Sequence, residues 1–172
     1  MTDRPAPARA QAPARPSDPV RRADDAAREL ARRITGAARW GALGVIDPGT
    51  AGPMVTRVAV LWQAGPDGPG ALILVSDLSL HSAALARNPA CSLLLGEVGP
   101  KGDPLTHPRL TLMARAEPAD KAALRGVWLA AHPKAGLYID FADFRMLRLV
   151  PHLAHLNGGF GKAFRLVPQD LG

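Results

Sequence analysis

Residues 71–89 read ALILVSDLSLHSAALARNP, and the fold of the whole chain turns on how this stretch is understood. Its first half is an apolar run of the kind that forms a buried strand, and the run ends at Ser76. Ser79 then stands where a helix N-cap belongs, ahead of an amphipathic segment over residues 80–87. That helix carries His81 and Ser82 in its first turn. Free backbone N–H groups and the positive end of the helix dipole make such a turn a natural seat for phosphate. Ser76, His81 and Ser82 are side chains of types that hydrogen-bond phosphate oxygens. The same pattern equally describes a capped strand-to-helix turn with no ligand, so the rest of the chain has to decide.

Upstream, WGALGVI (40–46) is a short buried strand. MVTRVAVLW (54–62) is a second, interrupted by the polar Thr56 and Arg57, and GPDGPG (65–70) is a hairpin loop leading into the opening run. Further upstream, Val20, Ala23, Ala27, Leu30, Ala31 and Ile34 recur at helical spacing, which predicts an amphipathic helix over residues 19–38. Downstream, CSLLLGE (91–97) and PRLTLMARAEP (108–118) are strands joined by a polar loop. Residues 120–131 form a further helix, with a short turn or helix at 134–138. FRMLRLVP, HLAHLN and GKAFRLVP close the chain as three strands. About eight strands linked mainly by short turns, with two or three helices, describe a mainly β, α+β architecture. The expected fold is an antiparallel barrel decorated with helices, not a parallel α/β sheet.

Composition narrows the function. The chain has 172 residues, 47% hydrophobic but only 5% aromatic, so its core is built from aliphatic side chains. One cysteine, Cys91, rules out an internal disulfide and reads as a buried, inert thiol. The net charge of +6 is uneven: residues 1–40 hold nine arginines against five acids, and the remainder is close to neutral. Residues 1–19 are Pro-, Ala- and Arg-rich and are expected to form a disordered arm, with one domain over 20–172. The near-neutral body and the lack of nucleic-acid-binding motifs argue against a nucleic-acid partner. No apolar run approaches the ~18–20 residues of a membrane span, and no secretory signal opens the chain, so a cytoplasmic location is expected. His152 and His155 form H-x-x-H, a spacing that sends side chains to opposite faces of a regular strand. No carboxylate cluster accompanies them, and no metal site is expected.

This order of elements, with these residues on it, resembles the FMN-binding split-barrel proteins related to pyridoxamine 5′-phosphate oxidase, and among them the haem-utilisation (HugZ-like) branch. Four stretches carry the resemblance: GALGVI; VTRVAVLW; LVSDLSLHSAALARNPACSLLLGE with DPLTHPRLTLMARAEP; and HPKAGLYIDFADFRMLRLVP running into GGFGKAFRL. DPLTHPRLTL followed by AHPKAGLYIDFADF is the part most particular to that branch. The resemblance implies a split β-barrel that binds FMN at the interface of a homodimer. It implies that Arg57, Ser76, His81 and Ser82 hold the flavin phosphate, that Val58, Ala59 and Val75 line the ring or ribityl chain, and that Arg109 sits near the ring's polar edge. One departure stands out: two basic residues that grip phosphate in the oxidases are replaced here by His81 and Ser82. The leading expectation is therefore an FMN-dependent oxidoreductase. Its alternatives are a haem-binding or haem-degrading protein, or a non-enzymatic binding module on the same fold.

Overall fold

The computed structural model describes residues 20–65, 68–159 and 161–172. The expected arm over 1–19 lies outside them. Among the described residues, nine strands form one sheet around a barrel, with three α-helices: β1 (Arg21–Arg22), α1 (Asp25–Ala37), β2 (Trp40–Ile46), β3 (Pro53–Ala59), β4 (Leu61–Gly65), β5 (Gly68–Ser76), α2 (Leu80–Arg87), β6 (Ala90–Leu95), β7 (Arg109–Pro118), α3 (Lys121–Ala131), β8 (Phe144–Asn157) and β9 (Ala163–Leu166). Their order is β1-β9-β8-β7-β6-β2-β3, and β4 pairs with β5, which returns to β8. The mainly antiparallel split barrel expected from the sequence is what the chain adopts.

Three expectations shift. The N-terminal helix starts later, because Asp24 caps it by accepting from the Ala27 N–H at 2.8 Å, while Arg21 and Arg22 pair in parallel with β9. Residues 54–62 are two strands rather than one. β3 pairs with β2; after Val60, whose N–H donates to the Arg39 carbonyl, the chain changes partner and β4 pairs with β5. This handover at a fully buried Val60 closes the barrel circuit. FRMLRLVP and HLAHLN, lastly, are one 14-residue strand, β8. On one side β8 pairs with β7 for most of its length; on the other it pairs first with β5 and then with β9.

Alternation sorts the side chains into two cores. Leu43, Val45, Val58, Ile73, Val75, Leu93, Leu110, Leu112 and Leu156 fill the barrel, closed by Ala27 and Ala31 of α1 and by Ala84 and Leu85 of α2. On the outside of β5 and β8, Leu72 and Met146 pack beneath α3 with Trp128, Ala135 and Ile139. Cys91 is buried against the barrel core, and burial pushes its thiol up to about 11, as suits an inert side chain.

Candidate functional site

The corner where β5 hands over to α2 is tightly wired. Ser79 is the N-cap residue, but it makes no side-chain bond to the helix's free N–H groups, contrary to the expected cap. Its hydroxyl instead donates back to the Ser76 carbonyl at 2.7 Å. The Ser82 hydroxyl reaches the same carbonyl at 2.7 Å and lies 2.8 Å from the Ser79 hydroxyl. The two hydroxyls thus make three internal contacts between them, and Ser82 is buried. Ser76 donates to the Asp143 carboxylate at 2.5 Å and accepts the Leu78 N–H at 3.1 Å. Asp77 is ion-paired with Arg145. His81 Nδ1 lies 3.2 Å from the Thr56 hydroxyl, and burial holds its pKa below the usual imidazole value.

His81 gives the molecule a pH signature. Its folded pKa lies below that of the unfolded chain, so on acidification the unfolded state takes the proton first. The contribution is complete above the unfolded value of roughly 6.5 and is lost as pH falls through it toward the lowered folded value. Denaturant midpoints of the wild type are expected to drop more steeply below about pH 6.5 than those of His81→Gln. Parallel pH curves for the two proteins would contradict this.

The remaining expected residues lie elsewhere. Arg57 is exposed on the outer face of β3, its guanidinium 4.8 Å over the Trp40 ring, and the Trp40 indole N–H donates to Glu97 at 3.0 Å. Arg109 donates to the carbonyls of Leu105 at 2.9 Å and His107 at 3.4 Å, and so ties down the loop before β7. Arg57 and Arg109 share the outer sheet face, but β2 and β6 lie between their strands, an offset of about 14 Å at the usual strand spacing. Val58 and Val75 turn their side chains into the barrel core, and Ala59 packs against the α3 cluster. With their side chains packed into these cores, the three have backbone to offer a ligand. The structure therefore gathers Ser76, His81 and Ser82 at the corner, and leaves Arg57 and Arg109 on another surface.

That surface is the outer face of the β3-β2-β6-β7-β8 sheet. Register aligns Val55, Gly44, Ser92 and Met113 in one row across it, and Arg57, Ala42, Leu94, Thr111 and His155 in the next. Along the first row runs a groove of about 440 Å³, floored by Gly44 and Ser92, walled by Val55, Ile46 and Met113, and edged by His152. His152 owes its place to a β-bulge: Met113 pairs with Leu153 and Ala114 with Pro151, so nothing opposes His152. The extra residue resets the alternation and turns both His152 and His155 outward, which corrects the expectation of opposite faces. Proline within a strand is confined to edges and bulges, and Pro151 was the sequence signal for it. The pairings of Trp40 with Arg57 and of Ser76 with Asp143 had no such signal, since each joins segments remote in sequence.

No family model matches the chain. Among curated proteins it is 39% identical to the non-canonical heme oxygenase HOZ, chloroplastic, of Arabidopsis thaliana, over 57% of this chain and 30% of that protein. Among solved structures it superposes on a heme binding protein of Mycobacterium smegmatis with 27% identity and a TM-score of 0.73, covering 84% of this chain and 59% of the other. A Clostridium acetobutylicum protein of the pyridoxinephosphate oxidase family, at 13% identity, shares the fold, with a TM-score of 0.66 over 87% of this chain and 100% of that one. The chain thus spans under a third of its curated relative and about three fifths of the mycobacterial structure. The barrel, its register and these likenesses together show the split-barrel fold of the proteins related to pyridoxamine 5′-phosphate oxidase, and the chain resembles their haem-utilisation (HugZ-like) branch.

Proposed function

We propose that this chain is a haem-binding split-barrel protein that seats the porphyrin on the outer face of the β3-β2-β6-β7-β8 sheet. The observation that carries this reading is the groove of about 440 Å³, which lies in the roughly 300–1,000 Å³ range of small-molecule sites. Its walls are largely apolar, its edge holds an imidazole, and a cation stands two residues along the same strand. Val55 lies in the groove and Arg57 about 7 Å further along β3, so the guanidinium would be placed to pair with acidic substituents of a flat apolar ring held on the first row. When bound, haem supplies iron redox and oxygen chemistry. The protein's part is to hold the ring, pair its carboxylates and shield one face from water. The relatives named for haem support the same reading.

Val55, Ile46, Leu94 and Met113 are exposed on this face, and Val55 keeps 69% of its surface in water. An apolar patch of this kind suits a second copy of the chain, and a homodimer closing over the ligand belongs to the proposal.

FMN is served less well. A flavin phosphate at the β5–α2 corner would meet the Asp143 carboxylate, an Asp77 carboxylate whose cation, Arg145, is already paired with it, serine protons already committed, and a histidine whose pKa burial lowers. The residues at that corner do not fit a dianion. Titration of the purified protein with haemin is expected to produce a saturable Soret shift at micromolar concentration, while FMN fluorescence stays unquenched over the same range. Uptake of FMN with no response to haemin would overturn the assignment.

A further inference from the structure

Resting on the haem reading, we infer that His152 is the iron ligand, presented by the β8 bulge. Five histidines are available. His107 has both ring nitrogens engaged, Nδ1 with the Gly99 N–H at 3.4 Å and Nε2 with the Lys101 carbonyl at 3.0 Å. The Nε2 of His132 is bound to the Val60 carbonyl at 3.0 Å, and its ring centroid lies 4.5 Å from that of Trp128. His81 belongs to the corner and bonds Thr56. His155 faces outward opposite Thr111, level with Arg57 and one row away from the groove. His152 alone of the five lines the groove. It is exposed and has no hydrogen-bond, ion-pair or ring partner among the described residues, so its lone pair is free to coordinate.

The local backbone makes the same point. Bulges re-aim a side chain, and this one falls within a long strand whose pairing is otherwise regular. Without the extra residue, position 152 would follow the inward phase of Ala154 and Leu156, both fully buried. The bulge thus turns a residue that would have been core into one that overlooks an apolar cavity. An imidazole there adds nothing to packing, whereas neutral imidazole is an established ligand for haem iron.

The test is haemin titration of the full chain and of His152→Ala, His155→Ala and His81→Ala, read by absorbance. His152→Ala is expected to lose the ligand-shifted Soret position and to bind haemin roughly tenfold or more weakly; His155→Ala and His81→Ala keep the wild-type spectrum. Because position 152 is exposed, the variant should fold, which circular dichroism checks, and millimolar imidazole added to His152→Ala should restore the wild-type band. A wild-type spectrum in His152→Ala, or its loss in His155→Ala or His81→Ala instead, would overturn the assignment of His152 while leaving haem binding intact. Absence of any Soret shift in the wild type would overturn the haem reading itself.

Discussion

Trp128→Ala is expected to cost about 3–5 kcal/mol, the usual range for deleting a buried indole. Trp128 is the largest fully buried side chain and the centre of the cluster that holds α3 against β5 and β8. Its ring packs on His132, whose Nε2 in turn holds the Val60 carbonyl at the β3–β4 handover. The lower end of the range is expected, since the indole N–H finds no acceptor among the described residues. A buried donor left unpaired costs roughly 1–3 kcal/mol, and the truncation relieves that penalty. Trp128→Phe separates the two effects: it keeps most of the apolar volume, removes the orphan donor, and should cost less than about 1.5 kcal/mol. Urea unfolding of both variants measures this. If the two lost equal stability, volume would not be what Trp128 supplies.

Gly96→Ala is expected to be about as damaging, for a backbone reason. Gly96 follows β6 at φ 116°, a conformation that residues with a Cβ rarely adopt. An alanine Cβ there would lie 2.5 Å from the Pro108 carbonyl oxygen and 3.0 Å from Arg109 Cα. Both are backbone atoms of the entry to β7, so no side chain can swing aside. Strain and overpacking each cost roughly 1–3 kcal/mol, and a total near 3–4 kcal/mol is a large share of the ~5–15 kcal/mol that stabilises a typical domain. Gly126→Ala is the control. It lies within α3 with nothing near its would-be Cβ, so alanine should gain up to about 1 kcal/mol from helix propensity. Thermal unfolding should therefore move in opposite directions for the two substitutions. A Gly96→Ala variant as stable as the wild type would mean that the β6–β7 approach is looser than described.

The split-barrel fold was legible because its signals are local. Apolar runs bounded by Gly, Pro and Asp mark β2, β5, β6 and β7, and helical spacing marks α1 and α3. The boundary errors fell where partners change. At Val60 an unbroken apolar run passes from pairing with β2 to pairing with β5, and nothing in the run itself marks the switch. Ahead of α1, Arg21 and Arg22 extend the helical pattern but are drawn into pairing with β9, about 140 residues away.

The site was less legible for the same reason. Ser76, His81 and Ser82 read equally as a phosphate seat or as a ligand-free capped turn, and chain order cannot reveal that Asp143 stands against Ser76, or that Ser82 turns back to a carbonyl. Arg57 stood out as a charge in an apolar strand, and the family resemblance gave it an expected ligand role, but its neighbour Trp40 was not legible. For His152, strand alternation carried through Pro151 puts it on the face opposite His155, and only the bulge turns it outward.

By itself, the sequence determined which segments are strands and helices, that the core is aliphatic, and that Cys91 is inert, because hydrophobic periodicity and turn chemistry act over a few residues. Only the tertiary structure decided which faces of those strands meet, where the bulge turns His152 outward, and which polar groups at the β5–α2 corner are already spent on one another. Those outcomes depend on strand register and on contacts between residues far apart in the chain, and no short-range pattern encodes them.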